Sequence, residues 1–123
     1  MPYFSDEIYD QGLDYATTNG TRVDICSTAE PTTYTEATST NSCGNKTGLV
    51  TGATEAGAVD GRRVIVPAIA DGSVTATVSA GWWALTNNVS IFAASGALSA
   101  SQSVTSGNPF TLDAISLTIR DAA

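Results

Sequence analysis

The chain has no histidine, and that one absence removes a good deal of chemistry. Ser-His-Asp and Cys-His arrangements, and every histidine-based acid–base pair, need an imidazole. A structural zinc site needs about four nitrogen or sulfur ligands, and the only cysteines are Cys26 and Cys43. Two cysteines are also too few to define a disulfide framework. Charge is scarce: charged residues make up 14% of the chain, against about 25% in ordinary soluble domains. Positive charge is scarcest, with 5 Lys and Arg against 12 Asp and Glu and a net charge of −7. Phosphate recognition rests on Lys and Arg, so nucleic acid and anionic membrane surfaces are excluded as expected partners. No apolar run approaches the roughly 18 residues of a transmembrane helix. The opening "MPYFSDEIYD" is acidic and lacks a basic region followed by an apolar one. No signal peptide is therefore expected, and a cytoplasmic origin with both thiols reduced is.

Small neutral residues take the place of the missing charge: 18 Thr, 13 Ser and 18 Ala. Such a composition suits strands, turns and closely packed neutral surfaces more than helices. The charge that exists is placed unevenly. Residues 1–36 hold seven acids and one base, Arg22, whereas the 49 residues from Val64 to Leu112 hold only Asp71. That neutral stretch is either a hydroxyl-covered β surface or one that faces other protein chains, where charge is costly to desolvate.

At 123 residues a single domain is expected. Ser5 followed by Asp6 and Glu7 reads as a helix start, with a capping hydroxyl and acids in the first turn. Phe4, Ile8, Gly12 and Tyr15 follow one helical face, with Tyr9, Leu13 and Ala16 beside it, over roughly Ser5–Thr18. Asn19–Gly20 is the stop, Gly20 being suited to a left-handed cap. "TRVDICST" alternates as a strand, with Val23 and Ile25 on one face and Arg22, Asp24 and Cys26 on the other. Ala29–Gly48 reads as a long polar loop with a weak extended segment, and Gly48–Gly61 as a surface excursion. "RRVIVPA" is a buried-type strand ended by Pro67, Asp71–Gly72 a turn, and "SVTATVSA" an alternating strand. Gly81 suits a bulge before "WWAL"; "TNN" is a hairpin turn, "VSIFAASGAL" a strand broken at Gly96, and "SGNP" another turn. "FTLDAISLTIRD" closes the chain with Ile115, Leu117 and Ile119 in alternation. The pattern predicts a mainly β fold, a single β-sandwich or barrel domain with a short N-terminal α-helix. Residues 1–20 carry the helix, 21–61 a strand and long loop region, and 62–123 the β-rich core.

Catalytic signatures are missing. "TGATEAG" lacks the lysine of a phosphate loop, and no serine lies in a G-x-S-x-G elbow. Asp6/Asp10 and Asp10/Asp14 stand four apart on the helix, a spacing that fits a carboxylate site or a solvated face. Cys26 has no basic neighbour in sequence to lower its pKa, so a buried inert thiol is expected. Arg62 and Arg63 point opposite ways on a strand: one to pair with the acidic N-terminal region and the other to meet a partner, or both solvated. Trp82 and Trp83, the only tryptophans, also point to opposite faces. Trp83 shares parity with Leu85, and these two are the candidate core anchors. Trp82 shares parity with Ala84 and is a candidate interface anchor, unless it is merely half-covered.

Taken together, the opening helix ending in "TTNGTRVDICSTAEPTTYTEA", then "GRRVIVPA", "WWALTNN" and "GALSASQSVTSGNPFTLDAISLTIRD" resemble a family of small virion proteins of tailed bacteriophages. The resemblance covers nearly the whole chain and rests on order, spacing and character. It implies a capsid decoration, or cement, protein that is made in the bacterial cytoplasm and ends on the capsid exterior. Its partner would be the major capsid protein, and it would self-associate, often as a trimer. It implies neither an enzyme nor a cofactor. Candidate contact residues are then Tyr3, Phe4, Tyr34, Arg62, Arg63 and Trp82, although the N-terminal aromatics suit equally well the sealing of the chain's own β core. Two other roles fit the residues: a receptor- or carbohydrate-binding module of a head or tail fibre, with Trp82 or Tyr34 stacking on sugars, and a ring-forming head–tail joining or tail-tube protein.

Overall fold

Strands dominate the computed structural model of the chain, which describes residues 5–57, 59 and 61–119. Helix α1 spans Asp6–Asn19; strand β1 is Arg22–Cys26, and a π-helical turn at Glu36–Thr40 precedes β2, Ser42–Lys46. Then come β3 (Glu55–Ala56), β4 (Arg62–Val66), β5 (Ile69–Val74), β6 (Val78–Thr86), β7 (Phe92–Val104), β8 (Pro109–Leu112) and β9 (Ile115–Ile119). Six strands pair antiparallel in the order β7-β6-β1-β2-β5-β8 and curl into a half-barrel, while β3-β4-β9 form a second sheet. The mainly β architecture with one N-terminal helix is the one the sequence predicts.

The inner face of the half-barrel carries the main core. Val23, Ile25, Cys43, Val74, Leu85 and Phe110 meet there, joined by Val66 from β4 and by Ile115 and Leu117 from β9. Burying each large aliphatic or aromatic side chain contributes roughly 1.5–3 kcal/mol. The strand β1 lies at the centre of the sheet and is covered on both sides: Val23 to Cys26 are all buried. Alternation assigns Asp24 and Cys26 to the outer face, where an ordinary half-exposed strand would put them in water. Instead the π-helical turn packs over that face. Cys26, Ala37 and Ala84 form a small second core there, with Trp82 and Phe92 against it.

Helix α1 buries Tyr9 and Leu13, with Ala16 against the core, and leaves Ile8 58% and Tyr15 53% exposed. Of its two adjacent apolar rows, the fold uses one. Ser5 sits at the cap position with extended backbone, but its side chain makes no capping bond. Gly20 is not left-handed (φ −87°). It is needed for space: a Cβ there would lie 2.5 Å from Ala16 O, 2.6 Å from Thr51 Oγ1 and 2.8 Å from a Leu85 methyl.

Several sequence expectations are corrected. The polar segment 29–48 holds β2, a central strand, because its small residues Cys43 and Gly44 fit beside Ile25; a Cβ on Gly44 would stand 3.1 Å from that side chain. "SVTATVSA" is two strands, since the backbone leaves β5 at Val74 and re-enters at Val78. Thr75 and Ala76 donate to Cys43 O at 2.9 and 3.3 Å as this link crosses the end of the sheet. Asp71–Gly72 is not a turn but lies inside β5, where Gly72 faces the Phe110 ring with no room for a Cβ. Gly96 does not break β7: Trp83 is its cross-strand partner and lies 2.9 Å from where a Cβ would be. An aromatic ring laid over an edge-strand glycine restores the packing that the glycine lacks. "FTLDAISLTIRD" is divided at Asp113–Ala114 into β8 of one sheet and β9 of the other. The register shift at Gly81 and the tight loop after Thr86 match expectation. In that loop Asn87 Oδ1 accepts from the amides of Val89, Ser90 and Ile91 at 2.8–2.9 Å, and Asn88 takes φ +64°.

Gly72→Ala is expected to destabilise the chain by about 1–3 kcal/mol through overpacking against Phe110. Phe110→Leu in the same chain should relieve part of that clash. The double variant, measured by urea unfolding, should then be less destabilised than the sum of the two single changes.

Candidate interaction surfaces

Each basic side chain among the described residues lies in an ion pair within the fold, Lys46 with Asp71 at 3.0 Å being the most exposed of them. On the outer face of β1, Arg22 Nε and Nη2 donate to the two carboxylate oxygens of Asp24 at 2.7 and 2.9 Å, and Ser42 Oγ donates to Asp24 at 2.6 Å. Asp24 is 0% exposed. Burial pushes its carboxyl above the ordinary value of 3.8, against the opposing pull of Arg22 and Ser42. The Arg22 guanidinium, bonded to Asp24, is held more firmly protonated than usual. Alternation puts Asp24 on the face opposite Val23 and Ile25, and the burial of this trio comes from the layer packed over that face. Its sequence signal was Arg22 two residues from Asp24, on the same side of one strand.

Arg62 Nε donates to Asp10 at 2.8 Å, joining β4 to the acidic helix as one of the sequence readings held. Asp10 is thereby committed to an ion pair, while Asp14 is exposed. Arg63 lies 3.5 Å from Glu55 on the neighbouring strand β3, half-buried and facing away from the helix. Tyr3 and Phe4 lie outside the described residues.

The two tryptophans do occupy opposite faces. Trp83 packs on the main core beside fully buried Leu85, but is itself only half-buried because β7 is an edge strand there. Trp82 packs on Cys26, Ala37 and Ala84. It is therefore a half-covered ring over a small core, not a bare stacking platform. Tyr34, also half-buried, lies just before the π-helical turn that covers this same outer face.

Both cysteines are free and buried. They fall in different cores, Cys43 inside and Cys26 outside. Cys26 Sγ lies 3.6 Å from Ala37 O, and Cys43 Sγ 3.3 Å from Ile25 O. Burial pushes the Cys26 thiol up to about 12 and the Cys43 thiol up as well. High thiol pKa and burial together make poor nucleophiles.

Two exposed features stand out among the described residues. One is apolar: Ile8 and Tyr15 stand on the outer row of α1, and the Ile119 side chain comes within 3.5 Å of a Cβ built on Gly12 between them. Val50 and Val59, each 79% exposed, stand on the excursion before β4. The other is a cleft of about 380 Å³ between β7 and the β8–β9 corner, lined by Trp83, Leu98, Leu112 and Ile115 among others. No protein family, curated protein or solved structure matches the chain.

The Asp24 carboxyl sets an expected pH dependence. Its folded pKa is raised, so the folded state holds a proton that the unfolded chain has released. Its contribution to stability is thus full below 3.8 and is lost as pH rises through the folded pKa. Urea unfolding from acid to neutral pH should show wild-type stability falling relative to Asp24→Asn across that window. A relative rise would mean that the Arg22 pair outweighs burial. Arg22→Met, which strands the carboxylate without its cation, is expected to cost roughly 3 kcal/mol at neutral pH.

Proposed function

We propose that the chain is a structural protein of a tailed-phage virion, binding the outer surface of the assembled capsid and clamping adjoining major capsid proteins. The observation that carries this reading is the row of Ile8 and Tyr15 on α1, continued by Ile119. These apolar groups lie outside both cores, although the helix has Tyr9 and Leu13 to anchor it. Contiguous exposed apolar surface is what a protein–protein contact uses. Exposed Val50 and Val59 extend the supply of contact groups along the excursion.

Other features support the same role. The strand surfaces are Ser- and Thr-rich and nearly uncharged from Val64 to Leu112, so little charge has to be desolvated when they are covered. The net charge of −7 keeps the chain from competing for DNA. A clamp works by buried area, about 1,600 Å² for a standard interface, and needs no reactive group. The sequence resemblance to phage virion proteins spans nearly the whole chain and points the same way; by that analogy the protein acts as a trimer.

The test uses expanded empty heads of the encoding phage. Purified protein should co-sediment with them at a fixed ratio to the major capsid protein and raise the temperature at which they fall apart. Ile8→Glu/Tyr15→Glu should keep its own melting temperature, since both sites are exposed, yet lose at least tenfold in binding. Wild-type protein that ignores expanded heads would sink the reading. Full binding by the double variant would remove α1 as the contact.

A further inference from the structure

The strands β7 and β8 occupy the two ends of the six-stranded order, so each has one edge without a strand partner in that sheet. They are nonetheless brought together at one end. The turn at residues 105–108 joins them, and Gly107 donates to Val74 O at 3.1 Å while Asn108 donates to Thr105 O at 3.0 Å. Further along, Gln102 Nε2 donates to Thr111 O at 3.2 Å. There a side chain bridges a gap that the two backbones do not close with their own ladder. Gln102 and Thr111 both line the cleft of about 380 Å³. Its walls are Ala97–Ala100 and Gln102 of β7 and the corner from Thr111 to Ile115, with Trp83 also on its lining.

We propose that this seam accepts one extended peptide strand from a partner protein, which pairs with both edges and closes the half-barrel. Unpaired N–H and C=O groups along a strand edge are a template for another strand. A guest bonded on both sides needs two ladders of about 4.8 Å each, and along this seam β7 and β8 are not paired with each other. Trp83, Leu98, Leu112 and Ile115 offer apolar contact to alternate side chains of the guest. The charge of the site selects the guest further. Asp113 is the charged residue among those lining the cleft, and it is exposed at the corner. In a chain of net charge −7 an acidic segment is repelled, whereas an uncharged strand bearing one Lys or Arg opposite Asp113 is favoured. This inference stands on the seam alone and does not depend on the virion reading.

The probe is a fluorescein-labelled peptide, Thr-Val-Thr-Val-Lys, with a Glu-ended twin and a twin N-methylated at alternate residues. Fluorescence anisotropy should show the Lys peptide binding the intact protein. The Glu twin should bind at least fivefold more weakly, and the N-methylated twin should not bind. Asp113→Lys, at an exposed corner, should reverse the preference between the Lys and Glu peptides. Hydrogen exchange should slow on both edges, residues 97–101 and 110–112, when the Lys peptide is added. No binding up to about 1 mM would overturn the proposal. So would protection confined to one edge, or an order of preference that Asp113→Lys leaves unchanged.

Discussion

A carboxylate buried at the centre of the sheet dictates much of what surrounds it. Asp24 is sealed on the outer face of β1, and a charge taken out of water costs several kcal/mol unless its partners are near ideal. Arg22 meets both of its oxygens and Ser42 meets one, which ties β1 to the start of β2. Arg22 is itself steadied from two sides: it donates to Asn88 Oδ1 at 2.8 Å and to Thr38 O at 3.5 Å. One buried charge thus links the central strands, the π-helical turn over them and the loop between β6 and β7. The apolar groups beside it, Cys26, Ala37 and Ala84, are small enough for that turn to sit close.

The inner core works by a different rule. Its side chains come from both sheets and the helix, and the spaces between them are set by glycines that admit a ring or a neighbouring backbone. Gly72 makes room for Phe110, Gly96 for Trp83, and Gly20 for the end of α1 against Leu85 and Thr51. The excursion before β4 is fastened to the same place. Thr51 Oγ1 donates to Gly20 O at 2.7 Å, and Thr17 Oγ1 donates to Gly52 O at 2.9 Å. The half-barrel leaves its seam unclosed, and the helix packs through Tyr9, Leu13 and Ala16 without its outer row. The outer row of α1 and the seam are surfaces that the chain's own packing does not consume.

Charge placement was legible in the sequence for a local reason. The neutral stretch and the acidic first third are properties of residues counted along a line, whereas the pairing of Arg62 with Asp10 was one of two open readings and spans 52 residues. The helix, most of the strands, the bulge at Gly81 and the turns at Thr86–Asn88 and Ser106–Pro109 were legible for the same reason, since periodicity and turn chemistry act over a few residues. The opposite faces of Trp82 and Trp83 followed from strand alternation. How far each ring is covered did not follow, because a π-helical turn from residues 36–40 and an edge strand from residues 92–104 decide it.

By itself, then, the sequence determined the β-rich class, the N-terminal helix and the absence of histidine chemistry. Only the tertiary structure decided that a polar segment around Cys43 is a central strand, that Asp24 is buried, and that glycines at 72 and 96 sit inside strands. It also decided that two edge strands face each other across an open seam. All four depend on contacts between residues far apart in the chain. A glycine reads as a turn until the ring that needs its space is known, and an acid reads as solvated until the layer above it is in place.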